Sequence, residues 1–262
     1  MDGCGTYLDT MRREAPLVQC ITNFVAMNVV ANVLLAAGAS PAMVHDAEES
    51  GEFAAIAQAL TINMGTPSPR WVEGMEAAAR GAAAAGRPWV LDPVAVGATA
   101  FRRGLGARLL ALKPTVIRGN ASEILALAGA ETRGKGADSA DPVAAAEAAA
   151  QRLAETSGAV VAVTGPVDFV TDGRRGIRCA NGHPLMPRVT ALGCSLTGIV
   201  GAFAATRPPF EATAAALAFF GLAGEEAART ATGPGSFQVA FLDALHALSP
   251  EALDRGARLE AA

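Results

Sequence analysis

Short, uninterrupted apolar runs alternate along the chain with longer Ala-rich stretches whose apolar residues recur every three or four positions. The first pattern marks strands buried on both faces, the second amphipathic helices. Leu17–Ile21 predicts a strand, and Val25–Ala37, closed by Gly38, a helix. A short strand is expected at Ala42–Val44, then a helix from Glu48 to Leu60 and a strand at Thr61–Met64. Pro67 opens a long helix that ends near Gly86, followed by a strand at Trp89–Leu91 and a helix over Phe101–Leu112 stopped at Pro114. Val116–Arg118 reads as a strand, Ala121–Ala128 and Pro142–Thr156 as helices, and Ala159–Thr164 as another strand. Strands alternating with helices of about 10–15 residues predict an α/β fold with a mostly parallel central sheet covered by helices on both faces.

The rhythm then changes. Asp168–Thr171 and Gly176–Ala180 flank Asp172-Gly173, a pair suited to a tight primed turn, and predict a hairpin on the sheet edge. Beyond Gly193 the chain reads as helical, over Cys194–Ala205, Pro209–Thr230, Pro234–Leu248 and Pro250–Arg255. The polar, Gly-containing Gly134–Asp141 is expected to be a mobile loop rather than a boundary, so residues 1–262 are expected to form one domain. No motif is visible in the first fifteen residues or after Pro250.

Composition narrows the function. At 262 residues and 51% hydrophobic, the chain has a core large enough to exclude disorder. A net charge of −4, with only Lys113 and Lys135 as lysines and arginine pairs scattered at 12–13, 102–103 and 174–175, leaves no basic stripe for nucleic acid. Cys4, Cys20, Cys179 and Cys194 lie too far apart for a zinc site, and His45, His183 and His246 share no ligand spacing. The charge-free stretches Ala15–Val44 and Val189–Thr206 contain prolines, asparagines, glycines and hydroxyls, so buried helices are expected rather than membrane spans. A cytoplasmic location is expected, since no signal-like start is read.

Parallel sheets bind ligands at the carboxyl ends of their strands. Four polar groups follow apolar strands: Thr22-Asn23, Asp92-Pro93, Arg118-Gly119-Asn120 with Glu123, and Thr164-Gly165. Each alone could be a helix cap; together they predict one rim of one site. The segment from Val189 to Gly198 brings Gly193, Cys194 and Ser195 into the start of an apolar helix, where free N–H groups and the dipole favour an anion. There Cys194 is either a thiol whose pKa the dipole lowers or a small residue buried in a tight helix entry. Neither lysine precedes Ser or Thr and no GxGxxG occurs, so any phosphate cradle differs from the common ones. Met43 lies between Pro41 and the acidic Asp46, Glu48 and Glu49, in an expected loop.

These residues fall into a recognisable order. Pro16–Asn23, Ala31-Asn32, Gly38–Met43, Glu48-Glu49, Asn63–Thr66, Leu91–Val94 with Gly97-Ala98, Arg118–Glu123, Val163–Gly165, Gly193-Cys194 and Gly233–Phe237 together resemble the hydroxyethylthiazole kinase family, within the ribokinase-like fold. The resemblance implies transfer of a phosphoryl group from ATP, with Mg²⁺, to the primary alcohol of 4-methyl-5-(2-hydroxyethyl)thiazole. It implies ATP contacts at Arg118 and Thr164, acidic groups near magnesium at Asp92 and Glu123, and substrate contacts at Met43, Asn23 and Ala191. It places Cys194 where wider ribokinase-like kinases carry an aspartate base, and Gly193, Cys194 and Ser195 at the transferring phosphoryl group. It further implies a homotrimer with the thiazole pocket between subunits.

One position departs from that pattern. The family usually carries glycine where Ala191 stands; a positive φ would strain the alanine, whereas a negative φ would only narrow the pocket. Three other readings share the scaffold. An ADP-forming NAD(P)H-hydrate dehydratase should carry aspartate at position 194, and a non-catalytic nucleotide-binding relative should have lost the polar rim. The segments Ile21–Asn23 and Pro41–Met43 disfavour a hydroxymethylpyrimidine kinase.

Overall fold

The apolar runs pair side by side into one sheet because their two faces are both hydrophobic and must both be covered. The computed structural model of the chain describes residues 3–131 and 142–262. Helix α1 (Cys4–Glu14) precedes strand β1 (Leu17–Ile21), α2 (Met27–Ala37) and β2 (Ser40–Ala42). Then come α3 (Ser50–Ile56), β3 (Ala59–Asn63), α4 (Pro69–Ala84), β4 (Trp89–Asp92), α5 (Ala100–Ala111) and β5 (Val116–Asn120). Helices α6 (Ala121–Glu131) and α7 (Pro142–Ser157) lead to β6 (Val160–Thr164), β7 (Asp168–Thr171) and β8 (Gly176–Cys179). Helices α8 (Leu192–Ala204), α9 (Pro209–Ala228), α10 (Pro234–Ala247) and α11 (Pro250–Gly256) precede β9 (Leu259–Ala261).

The strand order is β2-β1-β3-β4-β5-β6-β7-β8-β9. Pairing is parallel from β2 through β6 and antiparallel from β6 to β9. Alternate strand residues enter two cores. Val18, Cys20, Val90, Val160 and Ala162 pack with α1, α2 and α8–α11. Ile21, Ile62, Leu91, Val161 and Val163 pack with α3–α7. This period-two division accounts for the continuous apolar runs. At the centre of the first layer α8 lies almost on the sheet. A Cβ at Gly201 would come within 2.6 Å of Thr61 Cγ2, so only glycine permits that approach.

The expected mixed α/β sheet, helical on both faces and helical toward the C-terminus, is present. Several boundaries differ. The expected helix from Glu48 to Leu60 ends at Ile56; Ala57 is extended, and Gln58 N–H donates to Leu17 O at 2.9 Å, opening the β1–β3 ladder. Pairing with β1 thus overrides a run that is ambiguous by periodicity. The short strand lies at Ser40–Ala42 rather than Ala42–Val44. The hairpin turn is not a two-residue primed one. Thr171 pairs with Gly176, and Asp172 Oδ1 accepts from the N–H groups of Arg174 and Arg175, at 3.0 and 3.1 Å. The aspartate side chain builds a wider turn than a primed pair would. Nor is β8 the edge, since β9 covers it. Helix α1 lies in the segment read as featureless, and it buries Cys4, Tyr7, Leu8 and Met11. The loop expected at Gly134–Asp141 lies outside the described residues.

Candidate active site

In this sheet the connections reverse direction between β1 and β3, the place where an open parallel sheet leaves a crevice at its carboxyl ends. Asn23 follows β1, Asn63 ends β3 and Asp92 ends β4, with Asn63 and Asp92 paired in register. Arg118 lies on β5 and Thr164 ends β6. Helix α8 starts above them.

A chain of side-chain bonds joins these ends. Asn23 Nδ2 donates to Cys194 Sγ at 3.3 Å and to Asn63 Oδ1 at 2.8 Å. Asn63 Nδ2 donates to Asp92 Oδ2 at 2.7 Å, and Thr197 Oγ1 donates to the same oxygen at 2.8 Å. Arg118 closes the other side. Its Nη1 donates to Gly193 O at 3.1 Å and lies 3.5 Å from Asp92 Oδ2, and its Nη2 donates to Thr164 Oγ1 at 2.7 Å. Asp92, Arg118, Thr164 and Cys194 therefore share one cluster, connected through Gly193 and Asn23. Asn63 and Thr197 belong to it as well, and neither was assigned a role from sequence. Asn63 carried the same signal as Asp92, a polar residue ending an apolar strand; Thr197 is a hydroxyl inside an apolar helix and carries no such mark.

The cluster is buried and incompletely satisfied. Burial pushes the Asp92 carboxyl up to about 6, although Arg118, Thr197 and Asn63 pull it back. Its Oδ1, the Arg118 Nε and the Thr22 hydroxyl are buried without a partner. Orphans of this kind call for a partner such as water, an ion or a ligand. Asp168, at the start of β7, is likewise raised to about 6 by burial, against the Gly165 N–H that it accepts at 2.9 Å.

The helix entry decides two alternatives that the sequence leaves open and departs from expectation at Ser195. Ala191 sits at φ 65 and ψ 1, so the positive-φ alternative holds and the alanine is strained by about 1 kcal/mol. The first intrahelical bond runs from Ser195 N–H to Ala191 O at 2.8 Å, and the Ser195 hydroxyl bonds the same oxygen. The Ser195 N–H is therefore consumed, and the open donors are those of Leu192, Gly193 and Cys194. Finally, the Cys194 thiol is raised, not lowered: burial, then the Asp92 charge, outweigh the Asn23 bond and the nearby Arg118.

Glu123 is held in place by backbone donors. Its Oε1 accepts from Ala95 N–H at 3.0 Å and its Oε2 from Asn120 N–H at 2.9 Å, which pins the loop after β4, where Ala95 has φ 53. Among the described residues no three His, Cys, Asp or Glu side chains form a metal cage. Magnesium needs none: it takes one or two carboxylates and fills the rest with phosphate and water. The free Oδ1 of Asp92 fits that requirement, and Glu123 retains lone pairs that could reach the ion through water.

Met43 lies on the same rim, just past β2 and beside β1; it is half-buried against the first core. Next to it His45 stacks on Trp71, ring centroids 4.1 Å apart, and Phe24 leans on the same tryptophan, tilted, at 4.7 Å. Phe24 remains 65% exposed. No described helix is long and apolar enough to cross a membrane.

Comparison with known proteins shows the family and the fold of the chain. The hydroxyethylthiazole kinase family matches residues 8–251. A curated hydroxyethylthiazole kinase from Cereibacter sphaeroides is 99% identical, with both chains covered completely. The solved structure of a hydroxyethylthiazole kinase from Pyrococcus horikoshii superposes with a TM-score of 0.93 at 40% identity, covering 99% of this chain and 98% of that one. A ribokinase-like superfamily protein from Enterococcus faecalis, at 13% identity and TM-score 0.64, covers 95% of this chain and 90% of its own; it shares the fold alone.

Proposed function

The chain belongs to the hydroxyethylthiazole kinase family, and from that premise we propose how its own residues transfer a phosphoryl group from ATP to the primary alcohol of hydroxyethylthiazole, a step serving thiamine synthesis. The carrying observation is the bonded continuity from Cys194 through Asn23, Asn63 and Asp92 to Arg118 and Thr164 across five strand ends. Phosphoryl transfer asks a protein mainly for alignment and charge neutralisation, and this rim supplies both.

Arg118, aimed by Thr164 and the Gly193 carbonyl, presents a cationic fork to the polyphosphate. The N–H groups of Gly193 and Cys194, with that of Leu192, receive the equatorial oxygens of the migrating group as charge gathers on them. Asp92 and Glu123 would hold Mg²⁺, which would supply neutralisation of the polyphosphate charge. Asn23, Met43 and Ala191 flank the acceptor alcohol. Its oxygen attacks the γ-phosphorus while the bond to the β-phosphate oxygen breaks, and ADP leaves. The alcohol proton departs late in a loose transition state. Cys194 accepts it on its sulfur in the small fraction of enzyme where the thiol is already a thiolate, which the Asn23 amide stabilises, so turnover climbs as pH rises toward the elevated thiol pKa.

The whole chain acts as one catalytic unit in the cytoplasm, assembled as a trimer whose acceptor pocket a second copy completes. The exposed Phe24 and Val25 beside Asn23, and the exposed Leu35 on α2 and Val239 on α10, support that assembly. The decisive experiment offers the purified protein ATP, Mg²⁺ and a panel containing the thiazole, hydroxymethylpyrimidine and sugars, and follows ADP formation. Thiazole-dependent ADP release is expected. Thiazole-independent turnover, or preference for another alcohol, would overturn the assignment, and sedimentation tests the trimer separately.

A further inference from the structure

We propose that Arg102, on α5 and outside the reacting centre, is a positioning residue for phosphoryl transfer. Its guanidinium fastens together the two loops that follow Asn63 and Asp92. The inference rests on the reading of Asp92 as part of the phosphoryl-transfer centre.

One planar group spans both loops. Nη1 donates to Met64 O at 2.7 Å and to Val94 O at 2.9 Å, and Nη2 donates to Gly65 O at 2.6 Å. Met64 and Gly65 follow Asn63 directly, and Val94 lies two residues after Asp92. The β3–β4 ladder ends at the Asn63–Asp92 pair, so the carbonyls beyond it have no strand to bond. Arg102 supplies donors at that point. Arg70 and Arg175 meet carboxylates, whereas Arg102 spends its fork on backbone oxygens.

The consequence reaches the rim by short paths. Asn63 Nδ2 to Asp92 Oδ2 at 2.7 Å and Met64 N–H to Asp92 O at 3.1 Å cross the same gap that Arg102 braces from behind. Gly65 presses on Asn23: a Cβ there would lie 2.6 Å from Asn23 Cβ. Asn23 in turn holds Cys194 Sγ. Loosening the two loops therefore displaces Asp92 and Cys194 together. Lysine cannot replace the fork, because a single ammonium on a flexible stem does not present fixed, divergent donors to three carbonyls.

The test is a double-mutant cycle on the full-length enzyme, joining Arg102→Ala with Asn63→Ala in steady-state assays. Arg102→Ala should lower kcat by about 100-fold, the scale of a misplacement near 1 Å, with KM for both substrates moving less than about threefold. Arg102→Lys should recover only part of that loss. In the double variant, Arg102→Ala should add less than about threefold to the loss from Asn63→Ala, since both act on one link. Unchanged kcat in Arg102→Ala, or losses that multiply, would overturn the proposal. Should Arg102→Ala not fold, Arg102→Lys enters the same cycle with the same two outcomes. A wild type inactive on every alcohol defeats the functional reading instead; an active wild type with indifferent Arg102 variants defeats only this one.

Discussion

Two polar clusters lie at the margins of this sheet, and they are finished differently. At the carboxyl ends of β1 and β3–β6, Asp92 Oδ1, Arg118 Nε and Thr22 Oγ1 have no partner. In the corner where β8, α9, α11 and β9 meet, Asn181, Glu225 and Arg258 answer one another. Asn181 Nδ2 donates to Glu225 Oε1 at 3.1 Å and to Gly256 O at 3.0 Å, and its Oδ1 accepts from Arg258 N–H at 2.8 Å. Arg258 Nη1 donates to Glu225 Oε2 at 2.9 Å, and Gly182 N–H donates to Glu225 Oε1 at 2.8 Å. Ionisation follows the same division. Burial dominates at Asp92 and raises it to about 6. At Glu225 burial also pushes upward, but the bonds from Arg258, Gly182 and Asn181 outweigh it and the pKa falls below the ordinary carboxylate range. The closed network leaves none of these groups free, whereas the open one leaves atoms that the proposed ligand would engage.

Substitutions should separate the two. The largest effect is expected from Asp92→Asn, which should cut kcat/KM by about a thousandfold while thermal unfolding moves little, since losing a desolvated charge offsets losing its bonds. A large fall in stability with proportionate activity would make the rim structural and erase the contrast. Glu225→Ala should do the reverse, costing about 2–3 kcal/mol in urea unfolding with kcat unchanged, because it strands the Arg258, Asn181 and Gly182 donors. Its pH signature has a definite sign. A depressed carboxylate pKa contributes stability above its ordinary value, about 4.3, and loses it as pH falls through the folded value. The gap between wild type and Glu225→Ala should therefore shrink on acidification.

Smaller effects sharpen the rim itself. Cys194→Ser should lower turnover by about tenfold. Cys194→Asp should keep or raise turnover near neutrality and abolish the alkaline climb; an inactive aspartate variant would count against a proton-accepting role. Ala191→Gly should raise stability by up to about 1 kcal/mol, as strain relief is partly cancelled by the freedom glycine adds to the unfolded chain.

The legible parts of the molecule were those where local pattern and tertiary demand agree. Leu17–Ile21 emerges with the bounds its apolar run predicts, and α9 and α10 begin at the prolines that announce them. Helix α1 was legible too: Cys4, Tyr7, Leu8 and Met11 follow a one-face helical spacing, though charged residues stand beside them. Three-residue β9 carries no signal, because only its ladder with β8 makes it a strand.

Asn23, Asp92, Arg118 and Thr164 could be nominated from sequence as polar residues following apolar strands, and a parallel sheet turns that position into a shared rim. Their protonation could not be nominated. A helix dipole argued for a lowered Cys194 thiol, yet burial beside Asp92 raises it, and burial exists only once α8 lies on the sheet. Likewise Ser195 lost its free N–H to the first helical bond, and Arg102 acquired its three carbonyls from residues 8, 37 and 38 positions away in sequence. Residue type and period are local quantities and determined which atoms stand at the strand ends. Desolvation and hydrogen-bond closure depend on what packs against them from distant parts of the chain, so only the folded structure decided which of those atoms remain free.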